Sequence, residues 1–105
     1  MKQAQLLGSA SEYEALIAGH DPIILYFFTP DCGVCHAMLP KLLEALDQDP
    51  IDVIEIDAAR FPAIAGQQRI FVAPTVLVTV EGKEILRESR FIDIPKISRL
   101  LSLMR

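Results

Sequence analysis

Apolar residues along the chain follow two spacings, and the change from one to the other marks the elements. Ile23-Ile24-Leu25-Tyr26-Phe27-Phe28 is a continuous apolar run between Asp21-Pro22 and Thr29-Pro30. Its length and its β-branched and aromatic content predict a strand buried on both faces. Leu39, Leu42, Leu43 and Leu46 then recur at i, i+3, i+4 and i+7, one buried stripe of a helix. Pro40 falls inside that stripe and should kink it, since proline lacks the N–H donor and crowds the preceding turn.

The other segments are shorter but punctuated. Leu6-Leu7 ends a short first strand. Ser9 and Glu12 stand at capping-box spacing ahead of Tyr13, Leu16 and Ile17, with Gly19 as the stop. Val53-Ile54-Glu55-Ile56 reads as a strand, and Pro62 opens a short helix. Thr75 to Val80 is a strand of strong β-formers; Glu81-Gly82 turns it back into a partner from Lys83 to Glu88. Asp93 and Pro95 open a last helix with apolar positions Ile97, Leu100, Leu101 and Met104. The order β-α-β-α-β-α-β-β-α predicts an α/β fold: a mixed central sheet, parallel through its crossovers and antiparallel in its closing hairpin, with helices on both faces.

Composition narrows the function. With 105 residues the chain suits one domain, residues 1–105, and its 51% hydrophobic content can fill a core without a scaffold disulfide. The net charge of −4 speaks against nucleic acid as a partner. The basic stretch from Lys96 to Arg105 reads as a helix end with cations at its C-terminus. A monomer is expected. No run approaches a membrane span or a signal-peptide core, so the reducing cytoplasm is the expected compartment, with no membrane partner. There a close cysteine pair is more often catalytic or metal-binding than structural.

The only cysteines, Cys32 and Cys35, fall between the buried strand and the first turn of the helix. A helix N-terminus offers unpaired N–H groups and a partial positive charge. It therefore stabilises a thiolate and lowers its pKa from about 8.5. Asp31 acts in the opposite sense. Cys35, at i+3, is within disulfide reach of Cys32, and Gly33 offers no side chain to obstruct a partner. Three rival readings use the same residues. Zinc would need Cys32, Cys35, His20 and His36 together. A c-type haem would use Cys32-Gly33-Val34-Cys35-His36 as a C-x-x-C-H site, with Met38 or Met104 as a second ligand. Two unreactive core cysteines are the third.

With Cys-Gly-x-Cys at the strand–helix junction, the chain resembles the thioredoxin family along nearly its whole length. Phe27 to Cys32 resembles the family's approach to its active site. Pro40 matches its helix proline, Val72-Ala73-Pro74-Thr75 its cis-proline loop, and Glu81-Gly82-Lys83 its hairpin turn. The resemblance implies a thioredoxin fold and a thiol–disulfide oxidoreductase needing no cofactor. In it Cys32 is the nucleophile and Cys35 the resolving thiol. Gly33, Val34, Ala73, Pro74 and Thr75 form the substrate groove, with Pro74 cis. Protein disulfides would be the substrates, reduction the direction, and a flavin-dependent thioredoxin reductase the recycling partner. A thioredoxin-fold binding module or a redox sensor with little general reductase activity is the alternative. Several positions depart from the family. Tyr26 stands where the buried proton-accepting Asp falls, and the Lys that pairs with that Asp falls near Val53. Asp31 and Phe28 replace tryptophans, Val34 replaces a proline, His36 replaces a Lys, and Arg90 or a neighbour replaces a glycine. Tyr26 reads as a neutral core aromatic pointing at the helix of Cys35, which leaves His36 and Glu55 as proton acceptors.

Overall fold

A computed structural model describes residues 1–104. The predicted order is the observed one: β1 (Gln5–Leu6), α1 (Ala10–Ile17), β2 (Ile23–Phe28), α2 (Gly33–Ala45), β3 (Asp52–Asp57), α3 (Pro62–Gln67), β4 (Thr75–Val80), β5 (Lys83–Ser89) and α4 (Ile94–Leu103). The five strands lie in the order β1-β3-β2-β4-β5. β3 runs parallel to β1 and β2, and β4 antiparallel to β2 and β5. β2 is central, so its residues are buried on both faces, Phe28 alone less fully.

Strand parity divides the core in two. Ile24, Tyr26, Val53, Val76 and Val78 face α2 and α4, where Cys35, Leu42, Ile97 and Leu101 meet them. Ile23, Leu25, Phe27, Ile54, Ile56 and Leu77 face the opposite way, onto Tyr13 of α1 and Ile64 of α3. Pro40 lies within α2 without ending it; its missing N–H leaves the His36 carbonyl without a helical donor. Both turn residues of the hairpin have positive φ, Glu81 at 52° and Gly82 at 77°, the signature of a type I′ two-residue turn, whose twist matches that of the strands.

Two local expectations are corrected. Ser9 caps α1 by accepting from the Glu12 N–H at 3.1 Å, but the Glu12 carboxylate does not return to Ser9. It accepts from the Gly8 N–H and the Gln5 side chain, which ties β1 to the helix start. At the other end of the chain, α4 stops at Leu103 with no cation in its last turn. Arg99 falls a turn too early, and Arg105 lies outside the described residues. No helix among the described residues is long and apolar enough to cross a membrane.

Candidate active site

Cys32 is the N-cap of α2, at φ −90° and ψ 100°. The chain leaves β2 after Phe28, turns at Thr29 to Asp31 and enters the helix there, which fixes the sulfur over the first turn. The Cys35 N–H points at Cys32 Sγ, 3.1 Å away, one of the orphan donors of a helix start. The two cysteines form a disulfide across a Cα–Cα distance of 5.3 Å. They are unequal: Cys35 is 1% exposed, within the core that α2 covers, whereas Cys32 is partly open. Gly33 and Val34 are exposed, and a Cβ on Gly33 would meet nothing within 4 Å.

The loop ahead of β4 closes the other side. The Ala73–Pro74 bond is cis, and the Ala73 carbonyl oxygen lies 3.9 Å from Cys32 Sγ. The Ala73 N–H has no partner among the described residues. Pro74 is buried, and its carbonyl accepts from the Arg90 N–H at 2.8 Å. Thr75 turns inward: its hydroxyl donates to the Val72 carbonyl at 2.7 Å and lies 3.2 Å from the Ser89 hydroxyl. Its side chain therefore braces the loop from below, while the Ala73 carbonyl faces Cys32 Sγ.

Behind the disulfide, Tyr26 points at α2 as strand parity requires, and its hydroxyl donates to the Cys35 carbonyl at 2.7 Å. Burial first, then the charge of Glu55, pushes the phenol up to about 12. Tyr26 is thus a neutral donor with its one proton committed. The β3 register sets Glu55, rather than Val53, directly opposite Tyr26; Val53 pairs one step earlier, with Ile24. Burial raises the Glu55 carboxyl above its ordinary range, and His36 pulls it partly back. His36 is exposed, 6.2 Å from the Phe28 ring, with Nε2 2.9 Å from the Pro30 carbonyl oxygen. A carbonyl only accepts, so Nε2 carries the proton and the Nδ1 lone pair of a neutral ring stays open.

The four-residue zinc set does not assemble, and Met104 is out of reach of Cys32, Cys35 and His36. His20 sits against Glu81 at the far end of β2, and Met104 lies beside Asp21 and Pro22 at that same end. Among the described residues no three His, Cys, Asp or Glu side chains converge as a metal site. Sequence reasoning missed one part of the surroundings. A groove of about 440 Å³ runs from Val34 past Met38 to Arg90, Phe91, Ile92 and Asp93. Its signal was slight: a phenylalanine in a polar stretch, next to an arginine where the family carries glycine.

Comparison with known proteins agrees with this geometry. The family model described as Thioredoxin matches residues 5–101. Thioredoxin-like protein YdfQ of Bacillus subtilis is 36% identical over 96% of this chain and 91% of its own length. Thioredoxin-2 of Pyricularia oryzae is 28% identical over 91% of this chain, which spans 56% of that protein. Among solved structures, Plasmodium falciparum thioredoxin superposes with a TM-score of 0.83, covering 97% of this chain and 100% of that one at 18% identity. Mitochondrial thioredoxin 3 of Saccharomyces cerevisiae gives 0.78 over 94% and 93%, at 22% identity. With a cysteine pair that closes into a disulfide at the head of α2, the activity that follows is thiol–disulfide oxidoreduction. By its matched length, its relatives and its site, the chain belongs to the thioredoxin family.

Proposed function

We propose that the protein reduces disulfide bonds in client proteins, with Cys32 as attacking thiol and Cys35 as resolving thiol. The asymmetry of the pair carries this reading: Cys32 is partly open beside the unpaired Ala73 N–H, and Cys35 is buried at 1% exposure. An extended client segment lies across Gly33 and Val34 and pairs with Ala73 as an added strand, while Pro74 presents no N–H to compete for the sulfur. Thr75 holds that edge in place from beneath.

The Cys32 thiolate attacks one client sulfur, the client S–S bond breaks, and the leaving thiolate takes a proton from solvent. Cys35 then loses its proton and attacks Cys32 Sγ. The Cys32–Cys35 bond forms as the second client sulfur departs as a thiolate, which takes its proton from solvent, so two electrons pass from the protein to the client and each client sulfur is protonated from water. Tyr26 holds its own proton and accepts none. The Cys35 proton goes to Nδ1 of His36 or to the Glu55 carboxylate, both on the α2 side of the sheet. A flavin-dependent reductase in a reducing cytoplasm restores the dithiol in this scheme; direction follows from the potential of the couple against that compartment.

Substitution separates the two thiols. Cys35→Ser keeps the attacker and removes the resolver, so it should accumulate mixed disulfides with clients on non-reducing gels. Cys32→Ser should not. Equal trapping by both variants, or by neither, sinks the two-step scheme.

A further inference from the structure

The cis-proline loop is bracketed by two arginines in the left-handed region, Arg69 at φ 57° and Arg90 at φ 67°. Glycine adopts this conformation freely, whereas a residue with a Cβ adopts it under strain. Such strain is a reason to ask what the side chain does. The backbone of Arg90 is pinned, its N–H donating to the Pro74 carbonyl at 2.8 Å. Its guanidinium has no hydrogen-bond or ion-pair partner among the described residues, in contrast to Arg87, which is engaged with Glu84 and the carbonyls of Gln68 and Arg69. The Arg90 cation therefore returns nothing to the fold for the strain of its backbone.

The groove that Arg90 lines also holds Val34, 57% exposed, and Phe91, 84% exposed. Asp93 is the acid in the same groove, and it is committed: its carboxylate caps α4, accepting from the Lys96 N–H at 3.1 Å. Asp31 does not line the groove. Asp93 keeps its charge at that cap, and Arg90 is the charged side chain of the groove whose head group meets no partner among the described residues; it stands beside two open apolar side chains, on a surface continuous with Cys32 through Val34 and with Pro74 through its own backbone.

We propose that this groove selects client segments in which the disulfide cysteine is flanked by an apolar residue and a carboxylate, the apolar side chain seated against Val34 and Phe91 and the carboxylate meeting Arg90. The inference rests on the exchange reading above and adds the class of client. Arg90 is a specificity residue here. It takes no part in moving electrons or protons.

The probes are blocked peptides closed by one internal disulfide, with leucine on one side of a cysteine and Glu, Gln or Lys on the other. Their reduction by the fully reduced protein is followed by acid quench and chromatography. The expected order of rates is Glu, then Gln, then Lys, with Glu ahead of Gln by about two- to fivefold at low salt, the range of a solvent-exposed ion pair. The ratio should approach one near 1 M salt, where the screening length is about 3 Å. It should also approach one in Arg90→Gly, whose glycine suits the backbone at that position, and should persist in Arg90→Lys. Equal rates for the three peptides, a preference for Lys, or a Glu preference that survives Arg90→Gly overturns the inference while leaving exchange intact. If dithiothreitol reduces every peptide and the protein reduces none, the exchange reading fails and the inference falls with it.

Discussion

Glu55 is the clearest case of a single residue whose environment sets its chemistry. It is half-buried in β3, opposite Tyr26, and burial raises its carboxyl above the ordinary carboxylate range while His36 lowers it in part. A raised pKa means that the folded protein keeps a proton the unfolded chain has already released. The stability due to that proton is complete below the unfolded value, near pH 4, and is lost as pH rises through the folded value. Glu55→Gln keeps the shape and removes the titration. The variant should therefore gain stability relative to the native protein as pH climbs from about 4 toward neutrality. Urea midpoints across that range measure it. A difference that stays flat with pH, or shrinks as pH rises, would show that the carboxyl is not held protonated by its surroundings.

At the scale of elements, the site depends on how β2 and the loop before β4 are tied to α2 and β5. One tie is the Tyr26 hydroxyl, which joins the strand to the Cys35 carbonyl at 2.7 Å. With its pKa at about 12 the phenol stays protonated at neutral pH and does no acid–base work there. Tyr26→Phe should therefore cost about 1 kcal/mol for one buried hydrogen bond, or about 4–8 °C in melting temperature for a domain of this size. Its rate of disulfide exchange should stay within about threefold of native. A tenfold loss with an intact circular dichroism spectrum would place the hydroxyl in the proton path. Strand parity made the direction of Tyr26 legible in the sequence, because alternation along Ile23 to Phe28 is a local property. The same holds for Cys32 at a helix start and for the strand–turn–strand around Glu81-Gly82. The partner of the hydroxyl was not legible, nor was the bracing of the Pro74 loop by Ser89 and Arg90 or of the end of α3 by Arg87. Those contacts arise from the register of β5 on β4, which the one-dimensional pattern does not state. Glu12 shows the same limit within a single turn: its spacing from Ser9 was right, but the carboxylate went to Gly8 and Gln5 once β1 lay beside it.

Across the whole molecule the sheet separates two cores, and only one of them holds the chemistry. Leu7 and Ile97 are both fully buried, Leu7 in the core beneath α1 and α3 and Ile97 in the core that contains Cys35. Truncating either to alanine should cost about 2–5 kcal/mol through lost burial and a residual cavity, a large part of a total stability on the order of 5–15 kcal/mol. The two losses should differ in where they act. In the reduced protein the Cys35 thiol is shielded by α2 and by the packing of α4 behind it, so alkylation at that sulfur reports opening on its own side of the sheet. Leu7→Ala weakens the far side and leaves that packing in place. Ile97→Ala weakens the layer against which α2 rests. With urea adjusted so that both variants have the same global stability, iodoacetamide should label Cys35 faster in Ile97→Ala than in Leu7→Ala, as read by mass mapping. Equal labelling would mean that Cys35 is reached only through unfolding of the entire chain, and that the two cores open as one.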